Sequence, residues 1–204
     1  MSSPADITAQ TYQQQFAKYV ERTPPALPAE FMTWIDAFLE KLPPSGALFE
    51  LGSAFGRDAR YFASKGFDPL CTDIVPEALH ALAQEGFKTK LYDFRDAPAA
   101  EWIGAFDGFF ANAVLLHASP EHFTSTLQNA AQMLKPNGFL ALSLKTGEGE
   151  EMESKKLEAP RYFRYYTEPN FRSRLDGLPF HILEVSYALE ETWILVILQK
   201  RDNH

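Results

Sequence analysis

Apolar residues fall in two rhythms along this chain: short continuous runs, and longer stretches in which they recur three and four apart. The short runs near Ala47, Phe67, Thr89, Phe106 and Phe139 predict strands, and the spacing between them predicts helices. Strand and helix in alternation are the signature of a parallel sheet covered by helices on both faces. Ahead of the first strand, Tyr12, Phe16 and Tyr19 share one face of a helix from about residue 8 to 21, stopped by Thr23-Pro24-Pro25. A second helix, from about Pro28 to Leu42, turns Phe31, Trp34, Ile35 and Phe38 inward and ends at Pro43-Pro44-Ser45-Gly46. Ser119-Pro120-Glu121 starts a helix that carries Phe123, Leu127, Ala130 and Leu134, and Pro136-Asn137-Gly138 predicts a turn into the fifth strand. Ile182 to Leu189 and Trp193 to Gln199, separated by Glu190-Glu191-Thr192, predict a hairpin. Residues 146–160, rich in Gly, Glu, Lys and Ser, predict a mobile loop.

The first strand runs into Glu50-Leu51-Gly52-Ser53-Ala54-Phe55-Gly56-Arg57-Asp58, and Ala59, Tyr61, Phe62 and Ala63 give the next helix an apolar face up to Gly66. Strand, glycine turn and helix form a corner where backbone can approach a ligand closely. The following apolar run ends on Asp73, at the carboxyl end of a strand, where open α/β sheets bind nucleotides. An acid there can take both hydroxyls of a ribose. A dinucleotide fingerprint needs glycine at the first, third and sixth places, but from Gly52 the third is Ala54 and the sixth Arg57. Ala54 also requires a backbone that stays at negative φ. Glu50, at the strand end, can hold a ligand ammonium directly or through water.

The acid two residues before Gly52, with a further glycine at Gly56, resembles the first motif of class I S-adenosylmethionine-dependent methyltransferases. The likeness continues through Asp73 with Pro76-Glu77-Ala78-Leu79, Asp93-Phe94-Arg95-Asp96, and Phe106 to Ala113 with Leu115-Leu116-His117. It extends to Leu134-Lys135-Pro136-Asn137-Gly138, Lys145 to Glu150 and Arg161-Tyr162-Phe163. In this order the segments resemble a family of small bacterial stand-alone methyltransferases, from about residue 12 to the end. The resemblance implies a Rossmann-like three-layer α/β sandwich, with a seven-stranded, mostly parallel sheet and a C-terminal antiparallel β-hairpin. It implies one domain over 1–204, with an N-terminal helical cap over about 1–45 and a substrate-side insertion over about 146–175.

The cofactor so implied is S-adenosyl-L-methionine, released as S-adenosyl-L-homocysteine. Its pocket would draw on Glu50, Gly52, Ser53, Gly56, Arg57, Asp73, Ile74, Asp93, Phe94, Asn112 and Ala113. In the family an acid such as Asp93 meets the adenine amino group, and the next residue, here Phe94, packs on the ring. Lys145, Arg161, Tyr162 and Tyr165 would build the substrate wall, with Glu148 beside them. Tyr12, Tyr19 and Arg22 would form a lid over the cofactor. Plainer explanations stand beside these: a helix-capping or turn role for Asp93, a turn role for Asn112, solvated loop charges for Arg161 and Glu148, and ordinary helix packing for the lid. Methyl transfer from a sulfonium is an in-line displacement that chiefly needs alignment of the nucleophile. His117 is the candidate base for an acceptor that must lose a proton.

Composition narrows the partners. With 46% hydrophobic and 23% charged residues, the 204-residue chain is globular and of a size for one domain. No apolar run reaches the roughly 18 residues of a membrane span, and the start Met1-Ser2-Ser3-Pro4-Ala5-Asp6 is polar, so a cytoplasmic protein without a membrane partner is expected. Cys71 stands alone, which excludes an internal disulfide and a thiolate cluster and places it as a small apolar residue in a strand. His80, His122, His181 and His204 show no metal-ligand spacing, so no metal is expected.

A net charge of −8 disfavours a nucleic-acid partner. Arg161, Arg164, Arg172 and Arg174, interleaved with aromatics, nevertheless leave two readings: an RNA-contacting surface, or a helix from about Thr167 that buries Phe171 and Leu175. Asn112-Ala113-Val114-Leu115 lacks the Asn/Asp-Pro-Pro-aromatic motif of DNA adenine methyltransferases, and Leu70 before Cys71 rules out their Pro-Cys cytosine counterpart. The expectation is methyl transfer to a small-molecule acceptor through N, O, S or a metalloid, by a monomer or homodimer. An RNA or tRNA methyltransferase and a non-catalytic S-adenosylmethionine-binding module are the alternatives.

Overall fold

In a computed structural model, which describes residues 3–202, strands β1 (Leu48–Leu51), β2 (Leu70–Asp73), β3 (Lys88–Leu91), β4 (Phe106–Ala111) and β5 (Leu134–Lys145) lie parallel in the order β3-β2-β1-β4-β5. Met1, Ser2 and His204, read above, lie outside the described residues. Strands β6 (Glu150–Glu153) and β7 (Arg161–Arg164) form a separate antiparallel pair. Strands β8 (Phe180–Ala188) and β9 (Trp193–Lys200) are the expected hairpin, and β9 inserts antiparallel between β5 and β8. The result is the seven-stranded, mostly parallel Rossmann-like sheet. Around it lie helices α1 (Pro4–Gln14), α2 (Phe16–Glu21), α3 (Ala29–Leu39), α4 (Arg57–Ser64), α5 (Pro76–Gln84), α6 (Pro120–Met133) and α7 (Glu168–Arg174).

Both faces of the sheet are apolar because successive strand residues point to opposite sides. Phe49, Leu51, Phe109, Leu140, Leu142 and Val196 meet Phe123 and Leu127 of α6 on one face. Leu48, Phe110, Ala141, Leu195 and Ile197 meet Phe31, Trp34, Ile35 and Phe38 of α3 on the other. At the sheet edge β3 exposes Lys88 and Lys90, charges that discourage pairing with another chain.

Several expectations change in detail. The helix expected over 8–21 is two helices, parted at Gln15 (φ −114°, ψ 21°), where no Pro or Gly marks the break. α1 begins earlier, at Pro4, behind a capping box between Ser3 and Asp6. The second strand starts at Leu70 and not near Phe67. The fifth starts at Leu134, which pairs with Phe106; the Pro-Asn-Gly turn survives as a register shift inside it, with Asn137 at φ 59°. The stretch read as a mobile loop contains β6, whose pairing with β7 sets Glu150 opposite Arg164 and Glu153 opposite Arg161. Opposite charges on facing residues hold a strand that no hydrophobic alternation announces. Cys71 is fully buried in β2, and α7 buries Phe171 while Arg172 stays on the surface.

Candidate active site

The turn after β1 is built from left-handed residues: Gly52 at φ 74°, Ala54 at φ 48° and Gly56 at φ 82°. Ala54 therefore departs from the negative φ expected of it. The compensation is local, since the Ala54 N–H donates to Asp73 Oδ2 at 2.8 Å, while the Gly52 and Ser53 N–H groups donate to the Thr72 carbonyl. Asp73 Oδ1 accepts from the Val75 N–H at 2.9 Å. Each carboxylate oxygen thus ties down one loop and keeps lone pairs free for a ligand. Burial pushes the Asp73 carboxyl above its ordinary pKa, and the backbone N–H groups of Ala54 and Val75 work against that shift.

A Cβ on Gly52 would lie 2.4 Å from Val114 Cγ2, in addition to the left-handed backbone. Gly52→Ala is expected to destabilise the fold by about 1–3 kcal/mol, the usual cost of such a conformation. In urea denaturation, Val114→Ala in the same chain should recover the steric part and leave the backbone part.

A cavity of about 790 Å³, counted out to its open mouth, lies over this turn. Of the residues expected at the cofactor, Gly52, Asp73, Ile74, Asp93, Phe94, Asn112 and Ala113 line it. Glu50, Ser53, Gly56 and Arg57 do not. Glu50 is buried beneath the turn, where it accepts from Ser53 Oγ at 2.6 Å; burial first, and Asp58 second, push its pKa up to about 8. Gly56 is needed for packing, because a Cβ there would meet Leu82 at 2.3 Å. Asp93 is clasped by Arg95, whose guanidinium also reaches Asp6 of α1. The Asn112 side chain donates to Asp58 and accepts from Ser143 Oγ, which also accepts from the Ala113 N–H. That anchoring fixes the strand end whose residues line the cavity.

The roof of the cavity is α1 with α2, through Ala5, Thr8, Ala9, Tyr12, Phe16 and Tyr19. Thr8 Oγ1 accepts from the Tyr162 N–H at 2.8 Å, Thr11 Oγ1 donates to the Pro160 carbonyl at 2.6 Å, and Gln13 Nε2 donates to the Ile74 carbonyl at 2.9 Å. Arg22, expected in the lid, instead bonds the Lys156 carbonyl and Glu158.

A second cavity, about 1540 Å³ to its mouth, adjoins the first, and Tyr12, Tyr19, Asn112, Ala113 and His117 line both. Lys145, Arg161 and Tyr165, expected at the substrate wall, line it together with Arg57. Tyr162 does not, because alternation along β7 puts Arg161 and Phe163 on the cavity side and turns Tyr162 to the other. Its hydroxyl donates to Glu150. Arg161 is buried rather than solvated: it pairs with Glu153, donates to the Tyr12 hydroxyl at 3.0 Å and lies over the Phe163 ring. Glu148 is exposed and outside the cavity. Lys156, Phe163 and Trp193 line it as well, and sequence reasoning missed all three. Only the alternation Arg161-Tyr162-Phe163 could have pointed to Phe163.

His117 is buried at the junction. Its Nδ1 lies 2.6 Å from the Tyr162 carbonyl, which can only accept, so Nδ1 carries the proton. Nε2, at 2.9 Å from the Tyr12 hydroxyl, is then the acceptor. Burial, opposed by the bond to Tyr162, holds the His117 pKa down to about 3. Between pH 6.5 and 3 the unfolded chain binds a proton there that the folded chain does not, so stability falls as pH drops through this window. Glu50 has the opposite sign: with a folded pKa of about 8 against 4.5, it holds a proton that the unfolded chain loses, and stability falls as pH rises from 4.5 to 8. The difference in unfolding free energy between the parent and His117→Gln, or Glu50→Gln, should show these slopes, each up to about 1.4 kcal/mol per pH unit. A flat difference curve contradicts the assignment.

Among the described residues, no three His, Cys, Asp or Glu side chains cluster as metal ligands, and no helix is long and apolar enough to cross a membrane. The sheet order, the left-handed turn after β1 and the acid at the end of β2 form a ligand-binding corner outside the carboxyl ends of the strands. Residues 49–140 match the family model of the methyltransferase domain. That match spans a little under half of the chain, and the fold is one shared by solved S-adenosylmethionine-dependent methyltransferases.

Among solved structures, a methyltransferase from Methanosarcina mazei shares 16% identity at a TM-score of 0.71, with 87% of this chain and 100% of that one covered. The 1,6-didemethyltoxoflavin-N1-methyltransferase of Burkholderia thailandensis, bound to 1,6-didemethyltoxoflavin and S-adenosylhomocysteine, shares 19% at 0.77, over 99% and 92%. The cyclase SpnF shares 12% at 0.75, over 98% and 97%. At these identities the likeness is one of fold. No curated protein matches the chain in sequence.

Proposed function

We propose that the chain transfers a methyl group from S-adenosylmethionine to a small-molecule acceptor held in the second cavity. The observation that carries this reading is the junction of the two cavities at Tyr12, Asn112, Ala113 and His117. The first cavity suits the cofactor: Gly52 lets backbone come close, Asp73 has free lone pairs for ribose hydroxyls, and Ile74 and Phe94 give apolar surface for adenine. When bound, the cofactor supplies both methyl and leaving group. The protein aligns the acceptor and excludes water, with α1 as roof. An acceptor whose lone pair is already free needs no base. For one that must shed a proton, His117 is the only imidazole lining either cavity among the described residues, with its Nε2 reached through the Tyr12 hydroxyl, but a pKa held down to about 3 makes it a weak base, so an acceptor with a free lone pair fits the site better.

Residues 1–204 act in this reading as one cytoplasmic unit, with the helical cap closing the cofactor side and the 146–175 segment the acceptor side. An RNA acceptor finds less support. Arg161 is buried against Glu153, Arg164 pairs with Glu150 and Arg172 with Glu168, so the arginine stretch offers little free positive charge. The test is release of S-adenosylhomocysteine with a metabolite library and, in parallel, with bulk tRNA. Turnover with library members and none with tRNA is expected; turnover with tRNA alone overturns the small-molecule reading.

A further inference from the structure

We infer that the second cavity is built for an organic anion with a flat apolar body, its carboxylate, sulfonate or phosphate held by Lys145, Lys156 and Arg161 and its body lying against Trp193 and Phe163. This rests on that cavity being the acceptor site. The chain carries a net charge of −8, yet this wall gathers Lys145 and Lys156, neither of which pairs with a carboxylate among the described residues. Glu153 is taken by Arg161, and Glu151 accepts from the Tyr165 hydroxyl. Lys145 Nζ has no carboxylate partner among the described residues; it stands 5.3 Å from the centre of the Phe163 ring and 5.8 Å from that of Trp193. Lys156 Nζ donates to Thr23 Oγ1 at 2.7 Å and faces the Tyr19 ring, again without a carboxylate.

Arg161 supplies the independent sign. Its side chain is only 5% exposed, and its Nε is a buried donor with no partner. Buried donors are nearly always satisfied, so an orphaned one in a residue that lines the cavity points to a partner that the site gains when a ligand seats. Lys156 agrees: burial first, then the charge of Arg161, lower its pKa to about 8. A bound anion relieves that repulsion. The rings beside the ammonium groups bind a flat apolar body and favour cations at their faces, so body and charge are recognised by adjoining surfaces.

The probe is anilinonaphthalene sulfonate, titrated by fluorescence into protein loaded with S-adenosylhomocysteine. Saturable one-to-one binding is expected, weakened about 10-fold or more by Lys145→Gln or by Lys156→Gln, the range for a hydrogen bond to a charged group. Naphthoate and naphthyl phosphate serve as competitors, and whichever displaces the probe at lower concentration identifies the preferred anionic group. Neutral naphthamide should not displace it. Absence of saturable binding, affinity unchanged in both variants, or displacement by naphthamide as good as by the acids overturns the inference. Calorimetry with S-adenosylhomocysteine on the same samples checks that the variants are folded. Its failure to bind the parent protein would instead overturn the methyl-transfer reading.

Discussion

Asp73→Ala is expected to weaken binding of S-adenosylmethionine about 10- to 150-fold, the equivalent of about 1.5–3 kcal/mol for hydrogen bonds to a charged group. Two losses combine. The ribose hydroxyls lose their acceptor, and Ala54 loses the bond that holds its left-handed backbone under the cofactor. Asp73→Asn separates them poorly, because one of its two positions would then present an N–H to a backbone N–H. Isothermal titration reads the affinity and thermal unfolding reads the loop. Parent-like affinity in the alanine variant would remove Asp73 from the cofactor site.

Arg161→Met is expected to cost the larger stability, about 3–5 kcal/mol, because it leaves a carboxylate without its partner inside the protein. Glu153 is held below the usual carboxylate range although burial pushes it upward; the Lys156 N–H and the charge of Arg161 outweigh that push. The same change frees the Tyr12 hydroxyl and loosens α1 from β7. Adding Glu153→Gln should recover most of the loss, since no charge then remains unpaired. Chemical denaturation of the two single variants and the double variant closes the cycle. Simple additivity of the two would show that the pair contributes nothing.

The parts of this fold that were legible in the sequence are those that hydrophobic spacing dictates locally. Phe31, Trp34, Ile35 and Phe38 mark their helix, and the apolar runs mark the sheet, because burial of one face demands that pattern whatever the tertiary context. Asp73 stands out in the sequence because an acid ending an apolar strand is poorly explained by packing, and the structure places it on the wall of the first cavity, where it also ties down two loops. What escaped was set by pairing across the chain. β6 is held by Glu150 and Glu153 facing arginines of β7, ten or so residues away, and its own composition reads as loop. Ala54 tolerates positive φ because of a partner nineteen residues on. Glu50 turns under the loop to Ser53, and Tyr162 turns from the second cavity by the parity of its strand. Neither orientation is written in residue type. The Tyr12–His117–Tyr162 chain joins three segments that only the closed fold brings together.

The most direct test of the central claim is a crystal structure of the protein with S-adenosylhomocysteine. The account predicts adenosine over Gly52, Asp73 and Phe94, and the sulfur at the junction of Tyr12, Asn112 and His117, facing the cavity that holds Lys145. A sulfur turned away from that junction, or adenosine seated in the second cavity, would contradict it.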